Sequence, residues 1–146
     1  MEKFQEALRA WYRENPRSLP WRGEKDPYRI LVAEVLLQQT HTAQAIPYYH
    51  RFLARFPTLK ALREASLEEV LKAWQGAGYY RRALHLHRLA QEVEALPRSY
   101  AELLKLPGLG PYTAAAVASL AFGERVAAVD GNVRRVLSRV FALENP

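Results

Sequence analysis

Pro27 to Gln39, PYRILVAEVLLQQ, is the stretch that most limits what this chain can fold into. Ile30, Leu31, Val32, Ala33, Val35, Leu36 and Leu37 make it apolar nearly all the way round a helix. Such a helix has no polar face to turn to water, so it must be central, with other elements wrapped around it. Asp26 supplies a capping side chain, and Pro27 suits the first helical position, where no N–H is needed. One residue breaks the pattern: Glu34 shares a face with Ile30, Ala33 and Leu37. An ionised carboxylate is almost never buried without a partner. Burial favours the neutral form and raises the pKa. Glu34 therefore reads either as a general acid able to hold a proton near neutral pH or as a structural acid paired with Arg or Lys.

The rest of the chain is also helical in its periodicity. Phe4, Ala7, Leu8, Trp11 and Tyr12 fit the i, i+3, i+4, i+7, i+8 template, and Pro16 ends that helix. Ser18 to Lys25 is a loop. Thr42 to Phe56 reads as a third helix that Pro47 either kinks or delays. Pro57-Thr58 caps a short helix to Glu64, and Ser66 with Glu69 forms a capping box for the next, to about Trp74. Gly76-Ala77-Gly78 interrupts the chain. Tyr79 to Ala95 reads as a long helix with Leu86, Leu89, Ala90 and Val93 on one face. Ser99 to Leu104 is a short helix. Val133, Val136, Leu137, Val140 and Phe141 repeat the template at the end. No strand pattern and no internal repeat appear. The expected fold class is all-α, with many short helices joined by short loops.

Leu106 to Gly110 followed by Pro111 reads as a hairpin between two helices. Gly108 and Gly110 permit positive φ and let a ligand come close to the backbone. Successive amides and a helix N-terminus facing outward suit a phosphate oxygen, and Thr113 offers a hydroxyl nearby. Taken together, this is a helix-hairpin-helix that grips a DNA backbone without reading bases. A plain turn is the alternative. Asp130, in the turn Asp130-Gly131-Asn132, reads as a helix cap or as a carboxylate presented at the mouth of the last helix.

Charge bears on the partner. The 146 residues carry a net charge of +6 and a pI near 9.8, which suits a polyanion such as nucleic acid. Arg81, Arg82 and Arg88 on one helix, and Arg134, Arg135 and Arg139 on another, form either a phosphate track or a solvated face. The chain has no cysteine, which excludes disulfides, thiol nucleophiles, zinc knuckles and iron–sulfur clusters within it. Four histidines show no ligand spacing, so no metal site is expected. The start, MEKFQEALRAWY, carries acids, unlike a signal or transit peptide. No apolar run approaches the ~20 residues of a membrane span, so a soluble cytoplasmic protein is the default expectation.

Three stretches together carry more than these local arguments. LPWRGEKDPYRILVAEVLLQQT (19–40), WQGAGYYRRALHL (74–86) and LPGLGPYTAAAVASLAFGERVAAVDGNVRRV (106–136) resemble, in order and spacing, the helix-hairpin-helix/Gly-Pro-Asp superfamily of DNA glycosylases. Within it they most resemble the MutY-type adenine DNA glycosylases. The resemblance covers nearly the whole chain.

The resemblance implies a six-helix barrel at 18–128, with the helix-hairpin-helix at 99–123. It also implies an incomplete second helical domain built from 1–17 and a truncated 129–146. It gives Glu34 the role of the acid that protonates adenine, Asp130 that of the carboxylate favouring the sugar cation, and Asn132 that of a supporting residue. Tyr112 stands where bifunctional relatives carry a Schiff-base lysine, so the base should be cleaved without strong lyase activity. Trp21, Arg22 and Leu37 match the adenine pocket. Gln39 and Tyr79 match residues wedged into the duplex, and Gly108 and Gly110 match the phosphate-binding hairpin. The implied partner is double-stranded DNA with an A:8-oxoguanine or A:G mispair, bound by a monomer in a bacterial or archaeal, nucleoid-associated cytoplasm.

Two departures follow. The family carries four C-terminal cysteines holding a [4Fe-4S] cluster and a C-terminal domain that reads 8-oxoguanine. The chain reaches Asn145-Pro146 without either, so a fragment of a longer protein is expected, with apolar faces of the first and last helices exposed or covered by another chain. A thymine or uracil mismatch glycosylase of the same superfamily is the near rival. A non-catalytic DNA-binding module is the rival of another class, favoured if Glu34 is exposed or far from Asp130.

Overall fold

A computed structural model of the chain describes residues 1–38 and 40–142. Among the described residues there are nine helices and no strand: α1 (Glu2–Glu14), α2 (Pro27–Leu37), α3 (Thr42–Arg55), α4 (Leu59–Glu64), α5 (Leu67–Trp74), α6 (Tyr80–Glu92), α7 (Tyr100–Leu103), α8 (Pro111–Phe122) and α9 (Gly131–Val140). The all-α expectation holds.

The apolar helix α2 is central. Leu31 and Val32 are fully buried, and Ile30, Ala33, Val35 and Leu36 are nearly so. Its principal neighbours are α8 and α3. The face of α8 that is buried consists of small residues, Ala114, Ala115, Ala116, Val117 and Ala118. Side chains this short let two helix backbones approach closely and still fill the gap. On the other side, Phe52 packs edge-on to both Phe56 and Trp74, with ring centroids 5.2 and 5.6 Å apart.

The local signals of the sequence hold in detail. The Asp26 side chain accepts from the Tyr28 amide at 2.9 Å. Thr58 accepts from Ala61 at 3.0 Å, and the Ser66–Glu69 capping box closes in both directions. Pro47 does not delay α3, which starts at Thr42 and runs through it.

Three helix ends differ from expectation, and at two of them a distant arginine takes the terminal carbonyls. The run expected from Tyr79 to Ala95 is helical only from Tyr80 to Glu92. Tyr79 takes a left-handed conformation, φ 52°, that an α-helix does not allow. At the other end Arg63 reaches across from α4 and donates to the carbonyls of Ala90 and Val93, at 2.8 and 2.7 Å. That satisfies carbonyls that would otherwise continue the helix or face water. α2 stops at Leu37 for the same kind of reason, through Arg82.

Helices α1 and α9 bury no residue. They meet through Phe4 and Phe141, edge-on at 5.2 Å. Leu8, Trp11, Val136 and Val140 are half exposed or more.

If the small face of α8 sets the α2–α8 spacing, Ala114→Leu should overpack it. We expect a loss of about 1–3 kcal/mol in urea denaturation, whereas Leu120→Ala, on the exposed side of the same helix, should change stability little.

Candidate active-site cleft

Where α2 crosses the start of α8, a cleft of about 840 Å³ opens. Glu34, Leu37 and Gln38 of α2 and its C-cap line one wall, Tyr112 and Thr113 of α8 another, and Asp130 and Asn132 at the head of α9 a third. Residues far apart in sequence meet here because α2 and α8 are in contact and the 123–130 segment returns the chain to them.

Glu34 is part-buried. Burial pushes its carboxyl up from the ordinary value, and the negative charge of Asp130 pushes the same way, while a hydrogen bond from the Tyr112 hydroxyl works against both. Tyr112 is itself pushed up to about 12 by burial and by the two carboxylates, so its hydroxyl stays protonated and can only donate to a carboxylate. No Arg or Lys pairs with Glu34 among the described residues, so the structural ion pair is not what holds it. Asp130 caps α9, its Oδ1 accepting from the Val133 amide at 2.8 Å. The capping role and the cleft-facing role therefore coexist in one carboxylate.

Glu34 also borders a second cavity of about 220 Å³, whose lining includes Trp21, Arg22, Ala33 and Leu120. Trp21 is set by an edge contact to buried Tyr49 at 5.2 Å, and Arg22 lies over the Tyr12 ring at 5.0 Å. Trp21 and Arg22 are thus together beside Glu34. Leu37 lines the larger cleft instead.

The hairpin departs from expectation in two of its parts. Gly108 has φ +75°, and a Cβ there would lie 2.6 Å from Cβ of His85 on α6, so this glycine is required. Gly110 has φ −83° and needs no special conformation; as N-cap of α8 it leaves open space beside it, where a ligand can approach. The Thr113 hydroxyl does not offer itself to a phosphate. It is buried and accepts from Gln38 Nε2 at 2.7 Å, tying the end of α2 to α8.

Arg82 is not on a phosphate track either. Its guanidinium turns inward and donates to the carbonyls of Val35 and Leu36 at 2.7 and 3.1 Å, and to that of Gln38. Arg81, Arg88, Arg134, Arg135 and Arg139 are exposed. Tyr79 is exposed at the turn before α6. Gln39 lies outside the described residues.

Arg17, Gln38 and His41 also face the cleft. Sequence reasoning missed all three, since each sits in or beside a loop with no periodic signal. Among the described residues, no three His, Asp or Glu side chains converge in a way that could hold a metal ion. The chain's residues do not fit a [4Fe-4S] cluster, because no cysteine is present to ligate one.

Comparison with known proteins fits this geometry. Residues 32–146 match the family model described as HhH-GPD superfamily base excision DNA repair protein. The chain belongs to that family. Among its curated relatives, the adenine DNA glycosylase of Buchnera aphidicola subsp. Baizongia pistaciae is 38% identical over 96% of the chain and 42% of its own length. The human adenine DNA glycosylase is 44% identical over 96% of the chain and 28% of its own length. The chain thus spans less than half the length of these relatives. Among solved structures, a thermostable thymine-DNA glycosylase matches with a TM-score of 0.87 at 33% identity, over 94% of this chain and 66% of that one. Endonuclease III in a non-covalent DNA complex matches with a TM-score of 0.81 at 28% identity, over 98% of this chain and 70% of that one.

The raised pKa of Glu34 has a stability consequence. Between the ordinary carboxylate value and the raised one, the folded state holds more protons than the unfolded state, so stability falls as pH rises through that window. Glu34→Gln removes this penalty. The variant should melt above the parent at neutral pH, and the gap should close below the ordinary carboxylate range. Gly108→Ala should do the reverse, losing roughly 1–3 kcal/mol from strain and the His85 clash, read in the same melts.

Proposed function

We propose that the protein is the catalytic part of an adenine DNA glycosylase, removing adenine mispaired with 8-oxoguanine or guanine from double-stranded DNA. The observation that carries this reading is that Glu34, with its pKa raised by burial, faces the same cleft as Asp130. Relatives named adenine DNA glycosylase, 36–44% identical over most of the chain, support it. The half-buried acid sharing a cleft with a second carboxylate speaks against a binding module without chemistry.

The chemistry follows from the two carboxyls. A base stacked in duplex DNA hides its glycosidic bond, so it is extruded at a cost of a few kcal/mol. Tyr79, and Gln39 beside the cleft in sequence, fill the vacated space. The base enters the pocket at Trp21 and Arg22, with Leu37 on the cleft side of Glu34. Adenine leaves poorly as an anion. Glu34 gives it a proton, the C–N bond breaks, and the base departs neutral. The sugar carries positive charge as the bond lengthens, and the Asp130 carboxylate stabilises it. Water then adds to the sugar carbon, and the proton it releases restores Glu34 to its acid form. Burial in the apolar helix favours the protonated form of Glu34, while Asp130 sits in a polar turn. Asn132 supports Asp130. Tyr112 cannot form a Schiff base, so strand cleavage does not follow. Gly108 and Gly110 present the hairpin to the DNA backbone, and Thr113 holds that hairpin's helix in place. The protein acts as a monomer in the cytoplasm, associated with the nucleoid.

A thymine or uracil mismatch activity is the second reading, favoured by the likeness to the thymine-DNA glycosylase. Single-turnover assays of the full-length protein on A:8-oxoguanine, A:G, T:G and U:G duplexes separate the two. We expect release of adenine. Release of thymine or uracil alone would overturn the adenine assignment. Glu34→Gln should lower excision by about 10²–10⁴-fold while leaving duplex affinity intact. Because the acid must hold its proton, the wild-type rate should fall as pH rises through the raised Glu34 pKa.

A further inference from the structure

Arg82 makes more contacts than a surface arginine on a helix has reason to make. It is part-buried, and no carboxylate pairs with it among the described residues. Nη1 donates to carbonyls at the C-terminal end of α2, including that of Val35 at 2.7 Å and that of Gln38. Nη2 donates to the Thr40 hydroxyl, just after α2, and to the Gly78 carbonyl, in the turn that carries Tyr79, each at 3.3 Å. The same carbonyl accepts from Trp74 Nε1 at 2.9 Å. The guanidinium carbon lies 5.2 Å from the centroid of the Tyr79 ring and 5.4 Å from that of Trp74.

Three physical points give this arrangement meaning. Carbonyls at a helix C-terminus carry partial negative charge and favour a cation. A planar fork with five donors can hold two separate carbonyl sets at once, whereas an ammonium is a point donor. Tyr79 stands at φ 52°, ψ 57°, a left-handed conformation that a bulky non-glycine residue adopts only when its surroundings hold it there. The surroundings here are Arg82 and Trp74.

We propose that Arg82 is a positioning residue that fixes the Tyr79 turn to the end of the helix bearing Glu34. The residue that enters the duplex and the acid that protonates the base are then presented in one register. The proposal rests on the functional reading of Glu34 and Tyr79 given above. Its structural core, the link between the two segments, stands apart from that reading and is tested apart from it.

The full-length protein is assayed with Arg82→Lys, Tyr79→Ala and the double variant. Base extrusion is read by 2-aminopurine fluorescence next to the target, and excision in single turnovers. Each single variant should lower both by roughly 10–100-fold, the scale of a small misplacement. The double variant should be no worse than the poorer single one, because both remove one shared arrangement. Affinity for undamaged duplex should be unchanged in Arg82→Lys, since none of the hydrogen bonds of Arg82 goes to the hairpin. Effects that multiply in the double variant, or a matching loss of undamaged-duplex affinity, would reduce Arg82 to general stability and overturn the proposal.

A second measurement does not need the arginine variant to fold. Tyr79→Gly suits the left-handed backbone and removes the ring over Arg82. It should speed hydrogen exchange at the Leu37 and Gln38 amides while leaving α8 unchanged. Unaltered exchange there would refute the link itself. Absence of excision in the wild type on all four duplexes would instead overturn the functional reading.

Discussion

The contact between α2 and α8 is the constraint on which the rest of the molecule depends. An all-apolar helix needs neighbours on every side, and α8 meets it with alanines buried almost completely. The small face brings two backbones close, and closeness has chemical effects as well as packing ones. It sets Tyr112, the second residue of α8, against Glu34 of α2. It lets Gln38 reach Thr113 at 2.7 Å, so the end of one helix is bonded to the start of the other. The hairpin before α8 and the turn after it inherit their positions from this contact.

Arginines complete what helix periodicity leaves open. Arg82 and Arg63 each leave their own helix to satisfy the C-terminal carbonyls of another, α2 and α6 respectively. Such carbonyls must find donors or face water. Supplying them from a distance both ends the helix and anchors it to its neighbour. In the case of Arg82 the capped helix is the one that carries Glu34.

Glu34 is the place where local rules conflict. The apolar face demands burial, and the carboxyl opposes it. Among the described residues no counter-ion resolves this; a tyrosine hydroxyl and a second carboxylate are what face it. A carboxyl in the middle of this buried helix breaks the consistency across levels that sequences specifying a fold otherwise show. Asp130 meets the opposite condition, in a polar turn with one oxygen bonded to a backbone amide.

The sequence by itself determined the helices, most of their caps and the burial of α2, because these follow from contacts within a few residues. The Ser66–Glu69 box, the Thr58 cap and the Pro27 start were all legible for that reason. The unusual acid in the apolar helix was legible as a discord, though not that a tyrosine rather than a cation would face it. The roles of Thr113, Gly110 and Arg82 were not legible. A threonine after a hairpin, a second glycine and one arginine among three look alike in sequence, whatever they face. What such residues do depends on a partner far away in the chain: Gln38 for Thr113, the α2 carbonyls for Arg82, and His85 for Gly108. Only packing α2 against α8, with α6 beside the hairpin and the end of α2, creates those partners, and the α2–α8 packing also brings Glu34 and Asp130 to one cleft.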